Sequence, residues 1–411
     1  KGEDHMMQNR YVTKLVFPIF FVLLLVCLPV AGLMSPEEWR MTAPGKFSTL
    51  SAEEVASIAE PLVDNGTYPS LVIILEDRNG SALYTFGMAN RATGQAPDNR
   101  TTFEVGSVSK TFTGLLLADA ELRGVINLSL PIQTYVPEGV TVPSWQGREI
   151  TLSDLATHTS ALPNVPDDFY RYQKESDPIE TQAESTFRGY EEIPADLVYA
   201  WLSNLTLTRS PGDDWEYSNA GTAIAGDIVA RVQNRTYSEL VNERILTPLG
   251  MKSTAAGWNP ELLERSAVGY RGYAPDHDEG MIIRYNEFWT PAAGIISDAD
   301  DMAAYLALQL GFLDVPEELR KAVNLSHDPR TIRSTEEVDL WQSLFWDTFE
   351  TEGIPQTHLK AGETNRFMAD IAFVKDEGIG VVVLTNTAYF SDTHVESDVA
   401  IPLIRLMLEK R

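Results

Sequence analysis

The longest break in the alternation of apolar and polar positions comes first. Residues 15–34 run for twenty positions without a charge, behind Arg10 and Lys14. As a helix that run spans about 30 Å, the hydrocarbon thickness of a bilayer. It has no polar face and follows a basic flank, so 1–34 is expected to be a membrane anchor or a secretory signal. Val30-Ala31-Gly32 is a weak cleavage candidate, and Val26 before Cys27 suits a lipoprotein signal poorly. The basic flank then stays inside, and residues 35–411 face outward, membrane-anchored or secreted. Residues 1–5, ahead of Met6 and Met7, read as an added remnant or a misplaced start.

Past that run the pattern resolves into short elements. Ser51-Ala-Glu-Glu54 is a capping box opening a helix to about Leu62. Segments 71–75 and 81–88 flank Asn79-Gly80, a strong hairpin signal. Segments 367–374 and 379–385 form a second strand pair around Lys375-Asp-Glu-Gly378, and 395–410 has helical spacing at Val399, Leu403, Leu406 and Met407. Between them the chain reads mostly as helix: 111–123 ending at Gly124, then 195–205, 221–232, 237–245 and 299–310. Segment 163–192, rich in proline and charge, reads as a long surface excursion. Strands, then helices, then strands predict an α+β body: an antiparallel sheet flanked by helices, with an inserted all-helical lobe. The sheet lobe is expected over 47–106 and 285–411, and the helical lobe over 107–284. Without βαβ alternation a doubly wound nucleotide fold is disfavoured.

Composition narrows the classes. The 411 residues are 44% hydrophobic and 22% charged, a globular balance. Acidic residues number 59 against 32 Lys and Arg, a net charge of −27. Such a surface repels phosphate backbones, so no nucleic-acid partner is expected. The single cysteine, Cys27, permits no intrachain disulfide and no cysteine-based metal cluster. The chain has no phosphate loop ending in Lys-Ser or Lys-Thr, no H-E-x-x-H helix and no G-x-S-x-G elbow. Gly378-Ile-Gly380 lacks the third glycine of a dinucleotide turn. No His/Asp/Glu cluster has metal-ligand spacing, so neither metal nor cofactor is expected.

One segment carries candidate chemistry. Residues 103–114, F-E-V-G-S-V-S-K-T-F-T-G, contain Ser107 and Lys110, the only S-x-x-K in the chain. If Ser107 opens a helix, Lys110 lies one turn on, and both side chains share a face. A lysine amine kept neutral by burial and a nearby cation can take the serine proton. A helix N-terminus also offers backbone N–H groups to an oxyanion. A motif this short arises by chance, but two more elements follow in order. They are Tyr217-Ser-Asn219, the only Y-x-N, and His358-Leu-Lys-Ala-Gly362, just before the 367–374 strand. Taken singly, Tyr217 could be a buried aromatic, Asn219 an N-cap and Lys360 a solvated charge. His158 and His358 admit a Ser-His-Asp alternative, which the Lys/Tyr elements make unnecessary. His277, His327 and His394 sit in polar stretches and are expected at the surface.

On these motifs the sequence resembles the class C β-lactamases and their relatives among serine D-peptidases and esterases. The resemblance is close over 103–114. It continues through 124–128 and the 155–160 segment, L-A-T-H-T-S, then Tyr217-Ser-Asn219 and Lys360-Ala-Gly362 with Phe367 and Ala372-Phe373. It covers nearly all of 47–411, although 163–192 has no clear counterpart in class C enzymes. It implies a β-lactamase/transpeptidase-like fold, with Ser107 as the acylated nucleophile and Lys110 sharing its proton. Tyr217 is implied as a phenolate-like base lowered by Lys110 and Lys360, and Asn219 as the holder of Lys110 and the substrate amide. The backbone N–H groups of Ser107 and Glu363 are implied as the oxyanion hole.

Two departures bear on substrate. Ala361 replaces the usual threonine and removes a hydroxyl that helps bind a carboxylate. Asn365 and Arg366 replace a glycine pair, so the cleft narrows or Arg366 itself binds a carboxylate. Ala361, Gly362 and Arg366 are therefore the expected substrate-binding positions. The expected activity is acyl-enzyme hydrolysis of β-lactams or related D-amino-acyl amides, on a small-molecule or peptide substrate. The enzymatic alternatives are a D-Ala-D-Ala carboxypeptidase or D-aminopeptidase, and a short-chain esterase. The alternative from another class is a membrane-tethered penicillin-binding sensor that acylates without turnover.

Overall fold

The computed structural model describes residues 50–167, 169, 188–271, 282–334, 339–388 and 394–411. The expected anchor or signal, 1–34, lies outside the described residues, as does His277. Among the described residues no helix is long and apolar enough to cross a membrane.

The frame is an eight-stranded sheet. Its strands are β1 (Ser70–Asp77), β2 (Gly80–Gly87), β3 (Thr331–Ser334), β4 (Asp339–Gln342), β5 (Asp347–Thr351), β6 (Ile354–Glu363), β7 (Met368–Val374) and β8 (Ile379–Thr385). They lie in the order β2-β1-β8-β7-β6-β5-β4-β3, every pairing antiparallel. The two predicted hairpins meet at β1 and β8, where Val72 faces Leu384 and Ile74 faces Val382. Both faces are buried, so β1, β7 and β8 read as continuous apolar runs. Alternate residues still serve different cores. Val72, Ile74, Ile371 and Val382 join the core under the helical side, and Leu71, Ile73, Ala372 and Val381 the core on the opposite face.

Helices α1 (Ala52–Asp64) and α7 (Ile401–Glu409) cover that opposite face. The capping box of α1 forms as predicted, with the Glu54 amide donating to Ser51 Oγ at 3.3 Å and the Ser51 amide to Glu54 at 2.8 Å. On the helical side lie α2 (Ser109–Leu122), α3 (Ala195–Asn204), α4 (Asn219–Arg231), α5 (Ala299–Leu310) and α6 (Glu317–His327). The pattern predicted α5 to its end residues; it did not predict α6 or β3, β4 and β5.

Helix α2 is central, with every residue from Ser109 to Ala120 buried. Its polar side chains are accommodated one by one. Ser109 Oγ accepts the Ile295 amide at 2.9 Å, Thr111 bonds the Tyr305 hydroxyl at 2.9 Å, and Thr113 donates to Pro291 O at 2.9 Å. Gly114 permits the closest approach, since a Cβ there would sit 2.3 Å from Leu344 O.

Three readings are corrected. Segment 163–192 is not wholly a surface excursion, because Phe169 and Tyr190 are buried and their rings pack at 4.8 Å. His327 is not at the surface; it is buried, bonded to Gln309 at 2.8 Å and stacked on His358 at 4.7 Å. His358-Leu-Lys-Ala-Gly362 does not merely precede a strand: it lies within β6, paired to β7 with Lys360 opposite Ile371.

Candidate active site

Ser107 does not open a helix. It sits in a single 3-10 turn, Gly106–Val108, and α2 begins two residues later. Gly106 makes that turn possible with φ of +51°, a conformation costly to any residue with a Cβ. The one-turn separation survives, and Lys110 Nζ lies 3.0 Å from Ser107 Oγ.

Tyr217 and Asn219 arrive on the other side from the loop that enters α4. The Ser218 side chain caps that helix, accepting the Gly221 amide at 2.9 Å and donating to Pro163 O at 2.7 Å. His158 holds the loop from behind. Its Nδ1 accepts the Ser218 amide at 3.2 Å, its carbonyl accepts the Glu216 amide at 2.7 Å, and its ring lies 4.6 Å from that of Tyr217. Burial, then Lys360 and Lys110, push its pKa well below the usual histidine value. A neutral imidazole whose Nδ1 accepts carries its proton on Nε2, which has no hydrogen-bond partner. His158 is thus a clamp on the tyrosine loop, and no bond joins it to Ser107.

The assembled cluster is tight. Ser107 Oγ and Tyr217 OH are 2.5 Å apart. Lys110 Nζ donates to Asn219 Oδ1 at 2.6 Å and to Ala292 O at 2.7 Å. Asn219 passes the contact on, its Nδ2 donating to the Tyr190 hydroxyl at 2.8 Å. Lys360 Nζ stands 5.5 Å from the Tyr217 ring centroid and Lys110 Nζ 4.7 Å from it, and Lys360 pairs with Asp347 at 3.3 Å. The structure therefore brings Ser107, Lys110, Tyr217, Asn219 and Lys360 together. Tyr190, Ala292, Asp347 and His158 were not identified as partners from sequence. Ala292 acts through its carbonyl, and Asp347 and Tyr190 belong to no motif.

Charge states differ from those the resemblance implies. Burial, reinforced by Lys360, drives the Lys110 pKa well below the ordinary lysine value. The Tyr217 hydroxyl is moved the other way: burial raises it, outweighing the lowering by its bond to Ser107. The free site thus holds a neutral phenol and an amine that gives up its proton readily, not a phenolate.

The backbone amides of Ser107 and Glu363 meet at a seam kept open by two glycines. A Cβ on Gly362 would lie 2.1 Å from Val105 O and 3.0 Å from Ser107 N; one on Gly106 would lie 2.5 Å from Glu363 N. Ser107, Tyr217, Lys360, Ala361, Gly362 and Glu363 all line one cleft of about 690 Å³. Arg366 is not brought into it. It is buried after the end of β6, with its Cβ 2.5 Å from where a Gly269 side chain would begin. Among the described residues no group of three or more His, Cys, Asp or Glu side chains is arranged to hold a metal ion.

Comparison with known proteins agrees with this geometry. The beta-lactamase family model matches residues 55–404. The chain is 27% identical over 371 residues to a beta-lactamase of Escherichia coli K12, covering 82% of this chain and 89% of that protein. It is 28% identical over 228 residues to the D-alanyl-D-alanine-carboxypeptidase/endopeptidase AmpH of the same organism, covering 54% of this chain and 55% of that one. Among solved structures, a beta-lactamase/D-alanine carboxypeptidase from Yersinia pestis superposes with a TM-score of 0.72 at 22% identity, over 89% of this chain and 99% of that one. A class C beta lactamase from Rhodobacter sphaeroides gives 0.68 at 26% identity, over 87% and 98%.

Proposed function

Because the chain belongs to the beta-lactamase family, we propose that it forms an acyl-enzyme on Ser107 and hydrolyses β-lactams or related D-amino-acyl amides, facing outward from the membrane. The observation that supports this most is the placement of Ser107 Oγ, 3.0 Å from a depleted lysine amine and 2.5 Å from a phenol, at a seam of two backbone amides. A neutral Lys110 has two N–H bonds, which suit Asn219 Oδ1 and Ala292 O, and one lone pair left for the Ser107 hydroxyl proton. In that state Tyr217 donates to Ser107 Oγ, and every proton in the cluster has a place.

Attack follows from this arrangement. Ser107 Oγ bonds to the carbonyl carbon as its proton passes to Lys110, and the amides of Ser107 and Glu363 receive the developing oxyanion. As the C–N bond breaks, the leaving amine takes the Tyr217 proton, which Lys110 restores. Deacylation repeats the path with water in place of the amine.

A carboxypeptidase reading draws on the likeness to AmpH and on Ala361, which offers no hydroxyl to a β-lactam carboxylate. One experiment separates the readings. Residues 35–411 and a Ser107→Ala control are given a chromogenic cephalosporin, with hydrolysis and intact mass followed together. Sustained turnover lost in the control supports a β-lactamase. A lasting single adduct supports a penicillin-binding sensor. If neither turnover nor an adduct on Ser107 is seen, the β-lactam reading falls, and D-alanyl peptides and short esters are tested next.

A further inference from the structure

Arg333 enters the cleft from β3, the edge strand of the sheet, and belongs to none of the motifs. It lies opposite Leu340 of β4, and both line the same cleft as Ser107. Its guanidinium Cζ stands 3.7 Å from the centre of the Trp215 ring. That ring is itself fixed, because Trp215 Nε1 donates to Gln342 Oε1 at 2.8 Å and Gln342 Nε2 to Trp346 O at 2.7 Å. A guanidinium with an indole against one face keeps the N–H edge of its plane open. Among the described residues that edge meets no hydrogen-bond or ion-pair partner.

The cations nearest the nucleophile are already engaged. Lys360 is paired with Asp347 at 3.3 Å, and Lys110 is held by Asn219 and Ala292. At the far end of the cleft the Asp370 carboxyl is bonded to the Glu396 side chain and the Gly362 backbone. Arg366, the carboxylate binder expected from the sequence, is not in the cleft, and Ala361 carries no hydroxyl. Tyr217 fixes where Arg333 stands relative to the reaction. The phenol gives its proton to the departing group, and Trp215 lies beside it with ring centroids 6.1 Å apart. Arg333 is also felt electrically at the site, since it adds to the lowering of the His158 pKa.

We propose that Arg333, held against Trp215, receives a carboxylate on the leaving group of the substrate, beyond the atoms that face Ser107. Its fork of N–H donors suits the two oxygens of a carboxylate, and the stack sets its direction before the ligand arrives. The chain of contacts from Ser107 to Arg333 runs through Tyr217 and Trp215, so the carboxylate sits several atoms from the scissile bond. That place differs from one next to the bond, where Ala361 offers no hydroxyl. This inference rests on acylation of Ser107 and adds the class of leaving group, one that ends in an acid.

The test compares N-acetyl-D-alanine esters of 4-hydroxyphenylacetic acid and 4-hydroxyphenylacetamide, whose leaving groups differ in one distal charge. The acid is expected to be preferred at least about tenfold in kcat/KM, a difference of about 1.4 kcal/mol. In Arg333→Gln that preference should collapse toward unity, and Arg333→Glu should reverse it. Arg333 is partly exposed on an edge strand, so neither variant removes core packing, and the amide-bearing ester reports the acylation each retains. Equal rates for the two esters in the wild type, or a preference that survives both variants, would overturn the subsite. Intact mass and turnover keep the two levels apart. If neither Ser107-dependent turnover nor an adduct is seen with either ester, the acyl-enzyme reading fails and this inference with it. Turnover or adducts without a preference sink the arginine subsite alone.

Discussion

Where the protons of Ser107, Lys110 and Tyr217 rest is decided by burial before charge. Two ammonium groups near a phenol would favour its anion, yet Tyr217 is enclosed and its hydroxyl moves above its ordinary range. The same enclosure strips Lys110, because an ammonium loses its hydration there with another cation nearby. Two measurable consequences follow. Acylation should rise with pH as Lys110 loses its proton, and since that pKa is depressed, the ascending limb should lie well below the ordinary lysine range. Lys110→Arg, which cannot lose its proton, should slow acylation by about 10²–10⁴-fold. Tyr217→Phe should discriminate between leaving groups. An amide needs a proton as it departs and should suffer a loss of similar size, while a phenyl ester needs none and should lose much less. Single-turnover acylation by mass spectrometry reads both. Equal losses on ester and amide would remove the donor role from Tyr217 and return it to that of a base.

At the scale of elements, the site is a seam between the turn before α2 and the end of β6. Its width is set by residues with no side chain. Gly362→Ala would drive a methyl to 2.1 Å from Val105 O, a backbone atom that cannot rotate away. The seam must open, so acylation should fall by about 10²-fold or more as the two amides separate. Stability should fall by about 1–3 kcal/mol. A chemical melt together with the Ser107 adduct rate checks this, and an unchanged adduct rate would mean that Glu363 N plays no part.

This seam also marks where the sequence was readable. Helix α5, the first hairpin and the β7–β8 pair carry strong local patterns, and their order implied one sheet with a helical insertion. Strands β3, β4 and β5 did not show themselves, because their burial is mixed and their charged residues hide the alternation. Helix α6 begins after Pro316, without a side-chain cap. Ser107, Lys110, Tyr217 and Lys360 stood out by motif. Tyr190 and Asp347 did not, since contacts across 29 and 13 residues depend on how loops return.

For the whole molecule, acidity enters stability twice, on the surface and in the core. The net charge of −27 repels itself, and acidification or salt should relieve that strain. Inside, Glu104 is buried with its carboxylate accepting from Trp258 at 2.9 Å, and burial pushes its pKa up to about 7 from an ordinary 4.5. Between those values the unfolded chain releases this proton and the folded chain keeps it. The contribution of Glu104 is therefore full below about pH 4.5, declines as pH rises, and is lost once pH passes about 7. The difference is on the order of 3 kcal/mol. Surface repulsion changes with pH in the same direction, so the pH trend alone cannot assign the effect. Salt separates them, because at about 0.5 M the surface charges are screened within a few ångströms while a buried carboxyl is barely affected. Urea midpoints at pH 5 and pH 7.5 in high salt should retain a clear difference for the wild type. Glu104→Gln should shrink it, because the amide has no proton to lose. A variant that keeps the full pH difference in high salt would place the effect in other buried acids, of which Asp298, also pushed up to about 7 by burial and then Asp301, is next in line.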